Sequence, residues 1–83
     1  MSEVIIYTTK TCPYCVKAKM LLAKKGVEYQ EVDASPDDVR DDMIQKSGGK
    51  RSVPQIFINN QHIGGCDDLY ALESKGELDN LLK

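Results

Sequence analysis

The 83-residue sequence is poor in several things at once: it has one histidine, three cysteines, no tryptophan and no marked excess of either charge. No uninterrupted apolar stretch approaches the roughly 20 residues that a bilayer-spanning helix needs, which argues against a membrane partner. The formal net charge is -2. Acids and bases are interleaved, so there is no extended basic field to attract nucleic acid or an anionic lipid surface. Met1-Ser2-Glu3 runs at once into Val4-Ile5-Ile6-Tyr7 without a basic n-region or a long h-region, and a cytoplasmic location is expected. An odd number of cysteines, two of them three positions apart, is not the even framework of a small secreted domain; it suits a reducing compartment and a catalytic task. Repeats, linkers and low-complexity stretches are absent. A chain this short buries only roughly 60–65% of its extended surface, so residues 1–83 are expected to form one domain around one modest core.

What is present reads as alternating elements. Val4 to Tyr7 is short, β-branched and aromatic, a buried strand. Tyr14, Cys15, Ala18, Leu21 and Leu22 recur at helical spacing, and Gly26 supplies a stop, so a helix opens at Cys12-Pro13. Val27 to Val32 reads as a second strand. Ser35-Pro36-Asp37-Asp38 offers a cap, a proline at the first helical position and acids in the first turn, starting a helix to about Lys46 with Val39 and Met43 inward. Gln55 to Ile58 and Gln61 to Ile63 flank Asn59-Asn60 as a hairpin. After Gly64-Gly65, Asp67 or Asp68 can cap a short helix through Leu72, and Leu78, Leu81 and Leu82 suggest a last helical turn. Tyr7, Tyr29, Tyr70, Met20 and Met43 sit at core-like spacing. The order β-α-β-α-β-β-α predicts an α/β fold, a four-stranded mixed sheet flanked by helices, its first two strands parallel and its last two antiparallel.

Cys12-Pro13-Tyr14-Cys15 is a C-x-x-C after a strand and at a helix start, the setting in which the motif is redox-active. One helical turn brings the two Cα atoms to roughly 5 Å, within the range a disulfide tolerates. Cys12 lies at the cap, where free N–H groups and the helix dipole favour an anion and Lys10 and Lys17 are near; Cys15 lies on the inward face. Cys12 is therefore the expected nucleophile and Cys15 the resolving thiol. As an anion, the Cys12 sulfur is also the better leaving group of a mixed disulfide, which favours turnover by an external thiol. A structural cysteine pair or half of a zinc site is the competing reading, but no second C-x-x-C and no histidine pair completes four ligands. His62 reads as a half-exposed structural residue.

Three segments in this order, Thr11-Cys12-Pro13-Tyr14-Cys15, Ser52-Val53-Pro54-Gln55-Ile56-Phe57-Ile58 and Gly64-Gly65-Cys66-Asp67-Asp68-Leu69, resemble the signature segments of dithiol glutaredoxins. The likeness covers nearly the whole chain. It implies a thioredoxin-like fold, glutathione as reducing co-substrate with no tightly bound cofactor or metal, and disulfide or glutathionylated proteins as clients, with ribonucleotide reductase among the family's expectations. A monomer is expected. By the same resemblance Pro54 is cis, Val53 pairs its backbone with the cysteinyl part of glutathione, and the backbone N–H of Cys66 or Asp67 with the Asp67 side chain holds the γ-glutamyl end. Tyr14 matches the ring beside the active cysteine. The family usually carries lysine where this chain has Thr9; Lys10 then either reaches the glycyl carboxylate or adds a diffuse positive field, with Lys50 and Arg51 as candidates to assist. Read without the family, Pro54 is a trans proline entering an edge strand, Asp67 a helix cap and Cys66 a partly buried thiol.

Rival activities are distinguishable. A thioredoxin-like donor reduced by a flavoprotein typically has Gly-Pro between its cysteines, where this chain has Pro-Tyr. A scaffold in which Cys12 of two subunits and two glutathiones hold an iron-sulfur cluster is the alternative from another class.

Overall fold

The computed structural model describes residues 2–82, so Met1 and Lys83 of the expected 1–83 domain lie outside it. Its elements are β1 (Val4–Thr8), α1 (Pro13–Lys24), β2 (Gln30–Asp33), α2 (Asp37–Lys46), β3 (Gln55–Ile58), β4 (Gln61–Gly64), α3 (Cys66–Ser74) and α4 (Leu78–Leu82). The strands make one mixed sheet in the order β2-β1-β3-β4. β1 pairs in parallel with β2 and antiparallel with β3, and β3 pairs antiparallel with β4. Asn59 and Asn60 both take positive φ (52° and 66°), the conformation that a two-residue hairpin turn of primed type demands and asparagine tolerates.

Alternation along β1 sets the two layers, because successive side chains of a strand face opposite sides. Val4 and Ile6, with Ile56 and Ile58 of β3, pack under Ala18, Leu21 and Leu22 of α1, Leu69 of α3 and Leu78 of α4. Tyr7 and Phe57 face the other way onto Met43 of α2 and Ala34. Tyr7 and Phe57 meet edge to face at 5.7 Å, a preferred aromatic arrangement. α1 and α3 are also tied directly: Lys17 Nζ lies 5.0 Å from the Tyr70 ring centre, and the Tyr70 hydroxyl donates to the Lys17 carbonyl at 3.1 Å.

Several boundaries and faces differ from the sequence expectation. β2 begins at Gln30 because its ladder starts opposite Ile5; Val27 and Tyr29 only pack on the core. Ser35 does not cap α2. Asp33 Oδ1 accepts the Ser35 N–H at 3.0 Å, a local turn, and Pro36 itself is the extended cap residue. Neither Asp67 nor Asp68 is the cap residue of α3, which begins after Gly65 and runs on to Ser74; Asp68 serves the helix start from its first turn instead. Met20 is 65% exposed rather than in the core, since the inward face of α1 is made by Cys15, Ala18, Leu21 and Leu22.

Candidate active site

α1 opens with Cys12 as its cap residue and Pro13 in the first turn, where the ring's fixed φ suits a helix start and no N–H is lost. The Cys12 sulfur accepts the Cys15 N–H at 3.2 Å, which satisfies one of the donors a helix start leaves free. The Cys12 thiol also donates to the Val53 carbonyl at 3.6 Å, so the cap sulfur touches the segment before Pro54. The Val53-Pro54 bond is cis. All three cysteines are free thiols.

The partner sulfur has the opposite setting. Cys15 is 1% exposed, and burial first, then the hydrogen bond with Cys12, pushes its thiol up to about 12. At neutral pH only about one such group in 10⁵ is a thiolate. Cys66, at the first turn of α3, is 5% exposed, and burial raises its thiol as well.

A groove of about 520 Å³ runs beside this pair, lined by Tyr14, Val53, Pro54, Cys66 and Asp67 among others. Five of the residues singled out in the sequence are thus brought to one surface. Tyr14 stands at its rim, 62% exposed. Lys50 lines the groove too, whereas Lys10 lines a separate cavity with Cys15. Three groove features escaped the sequence reading. Gln55 is buried; its amide donates to the Ser52 carbonyl at 2.9 Å, and its oxygen meets His62 Nε2 at 2.7 Å. Gly64 carries a φ of 124°, and a methyl group there would run into the Asp68 side chain. The Asp68 carboxylate accepts the Gly65 N–H at 3.0 Å. An acid three positions after the cap is a usable signal for that last bond; the Gln55 bridge joins residues that only the β3–β4 pairing brings together.

Comparison with known proteins agrees with this architecture. The glutaredoxin family model matches residues 4–63. Glutaredoxin 3 of Escherichia coli K12 is 54% identical over 83 residues, covering 100% of both chains. The solution structure of glutaredoxin from Brucella melitensis superposes with a TM-score of 0.86 at 57% identity, over 98% of this chain and 88% of that one. A crystal structure of a buckwheat glutaredoxin-glutathione complex gives a TM-score of 0.87 at 29% identity, over 98% and 76% of the two chains. With the four-stranded mixed sheet, the cysteine pair at the start of α1 and these likenesses together, the chain belongs to the glutaredoxin family of thiol-disulfide oxidoreductases.

Proposed function

We propose that residues 1–83 act as one glutaredoxin domain that reduces protein disulfides and protein-glutathione mixed disulfides, with glutathione supplying the electrons. The observation that carries this is the contrast between the two sulfurs: Cys12 caps the helix at the groove, while Cys15 is buried and held protonated. The Cys12 thiolate attacks one sulfur of the client disulfide; a Cys12–client S–S bond forms, and the other client sulfur leaves as a thiolate. In the dithiol route Cys15 then attacks Cys12, releasing the client thiol and closing the Cys12–Cys15 disulfide, which two glutathiones reduce. In the monothiol route Cys12 carries glutathione and a second glutathione removes it.

The groove supports a tripeptide ligand. The Val53 backbone beside Cys12 offers an edge for an extended peptide. The first N–H groups of α3, at Cys66 and Asp67, have no intrahelical acceptor and suit a carboxylate. Asp67 adds a charge for the amine, and Tyr14 a wall. Lys10 lines the other cavity, which supports its part as a diffuse field, and Lys50, which lines the groove, is the candidate cation for the glycyl end. The family relationship supports ribonucleotide reductase and glutathionylated proteins as clients, a cytoplasmic location, a monomer and no tightly bound cofactor. Cys15→Ser is expected to lose reduction of protein disulfides and to keep glutathione-dependent deglutathionylation. Loss of both activities would refute the division of labour between the sulfurs.

A further inference from the structure

We propose that Lys19, held by Glu31 and Thr8, is a positioning residue for the resolving step, its ammonium stabilising the Cys15 sulfur as that atom becomes anionic to attack Cys12. The inference rests on the dithiol reading above. A cavity of about 330 Å³ is lined by Cys15, Lys19, Thr8, Glu31, Lys10 and Asp33, and it is separate from the glutathione groove. Cys15 and Lys19 stand four residues apart on α1, so they share a face. Thr8 and Glu31 come from β1 and β2, whose register sets Ile6 beside Glu31 and Thr8 beside Asp33. The buried Thr8 hydroxyl donates to Glu31 Oε2 at 2.7 Å, and Lys19 Nζ donates to the same oxygen at 3.0 Å. A buried hydroxyl thereby fixes the carboxylate, and the carboxylate fixes the ammonium.

The two donors hold the Glu31 carboxyl below its ordinary range, Thr8 most, while Glu31 holds Lys19 above its own. A carboxylate held this way is a poor base, so the useful element is the fixed positive charge. Charged groups at the opening are Lys10, Lys19, Glu31 and Asp33; Cys12 is hydrogen-bonded to Cys15, and Tyr29 acts on Lys19. Of these, Cys12 and Lys19 act on Cys15 through charge, with opposite sign. During resolution the Cys15 proton leaves to solvent through this opening. The Cys15–Cys12 bond forms, the Cys12–client bond breaks, and the client sulfur takes the electron pair and a proton. Cys15 is oxidised, the client sulfur is reduced and Cys12 stays at the disulfide level.

A partly solvated cation one turn away shifts a thiol by roughly one unit. Its loss lowers the thiolate fraction about tenfold, and a Brønsted slope of ~0.45 returns about threefold through higher nucleophilicity, leaving roughly a three- to fourfold slowing. The test mixes reduced protein with excess glutathione disulfide, quenches in acid and follows by mass the closure of the Cys12–glutathione adduct to the intramolecular disulfide, from pH 6 to 9. Lys19→Met and Lys19→Gln should each close three- to fourfold more slowly at every pH, and Lys19→Arg should restore the rate. Turnover of a small glutathione mixed disulfide, which bypasses Cys15, should be unchanged in all three. Closure at the wild-type rate in the neutral variants overturns the proposal, as does an equal fall in both assays. A Cys15→Ser control that still reduced protein disulfides would sink the dithiol reading itself, whatever Lys19 does.

Discussion

At the scale of single residues, the three thiols of this chain stand in different settings. Cys12 is half-buried at a helix start with its sulfur against the Val53 carbonyl, whereas Cys15 is inside the core and burial pushes its thiol up to about 12. At pH 8 a thiol at that value is ionised to about one part in 10⁴, against roughly a quarter for a free cysteine. Iodoacetamide at pH 8, followed by peptide mass mapping, should therefore label Cys12 first and leave Cys15 at least about 10²-fold slower in the folded protein, with the buried Cys66 also labelled after Cys12. Early labelling of Cys15 would contradict the assignment of the buried, protonated partner. The placement of the two sulfurs was legible in the sequence, because C-x-x-C at a helix start sets one at the cap and turns the other inward. The Lys19, Glu31 and Thr8 chain was not legible: its members sit on three elements, and only the β1–β2 register brings them to one oxygen. Met20 shows the opposite failure, since an apolar side chain at helical spacing carries no label saying which face is covered.

At the scale of elements, the junction of β4 with α3 is the segment on which the groove depends. Gly64 takes a φ of 124°, and Asp68 reaches back to the Gly65 N–H. Asp68→Ala removes that acceptor and should cost about 0.5–2 kcal/mol, as a lost helix-start bond does. Gly64→Ala forces a side chain into a glycine conformation and against Asp68, and should cost about 1–3 kcal/mol. The two changes are coupled through one carboxylate. In urea titrations Gly64→Ala should therefore cost less in the Asp68→Ala background than alone; strict additivity would show that the methyl group meets no obstacle there. Two glycines followed by two acids marked this junction in the sequence, but two adjacent aspartates did not reveal which one turns back. α2 was misread at its start for a similar reason. Asp33, Ser35 and Pro36 can each end a strand or begin a helix, and here the Asp33 side chain takes the Ser35 N–H, which leaves Pro36 as the cap residue.

At the scale of the whole molecule, the parallel first pair and the closing antiparallel hairpin were legible from β-branched runs and helical spacing, whereas the β1–β3 pairing that joins them was not, because it links strands far apart in the chain. The pH limits of the fold come from two kinds of group, buried thiols and paired ions. Burial, then the Cys12 bond, raises Cys15, and burial raises Cys66; the folded chain keeps protons there that the unfolded chain releases above ~8.5. That stabilisation is whole below the ordinary thiol range and is lost as pH rises above it, for Cys15 toward 12. Lys19, Lys25 and Lys46 are raised by their carboxylate partners and fade in the same direction. Glu31 is lowered by Thr8 and then Lys19, and Asp33 by Ser35, so their contributions are present above the carboxylate range and lost in acid. Reduced protein should be most stable between about pH 5 and 8. Cys15 alone contributes a fall of at most about 1.4 kcal/mol per pH unit above pH 9. Urea midpoints at pH 8, 9 and 10 isolate it, because Cys15→Ser lacks this titration and its curve should fall less steeply than that of the reduced wild type. Equal slopes in the two proteins would mean that the resolving sulfur ionises as easily inside the fold as outside it.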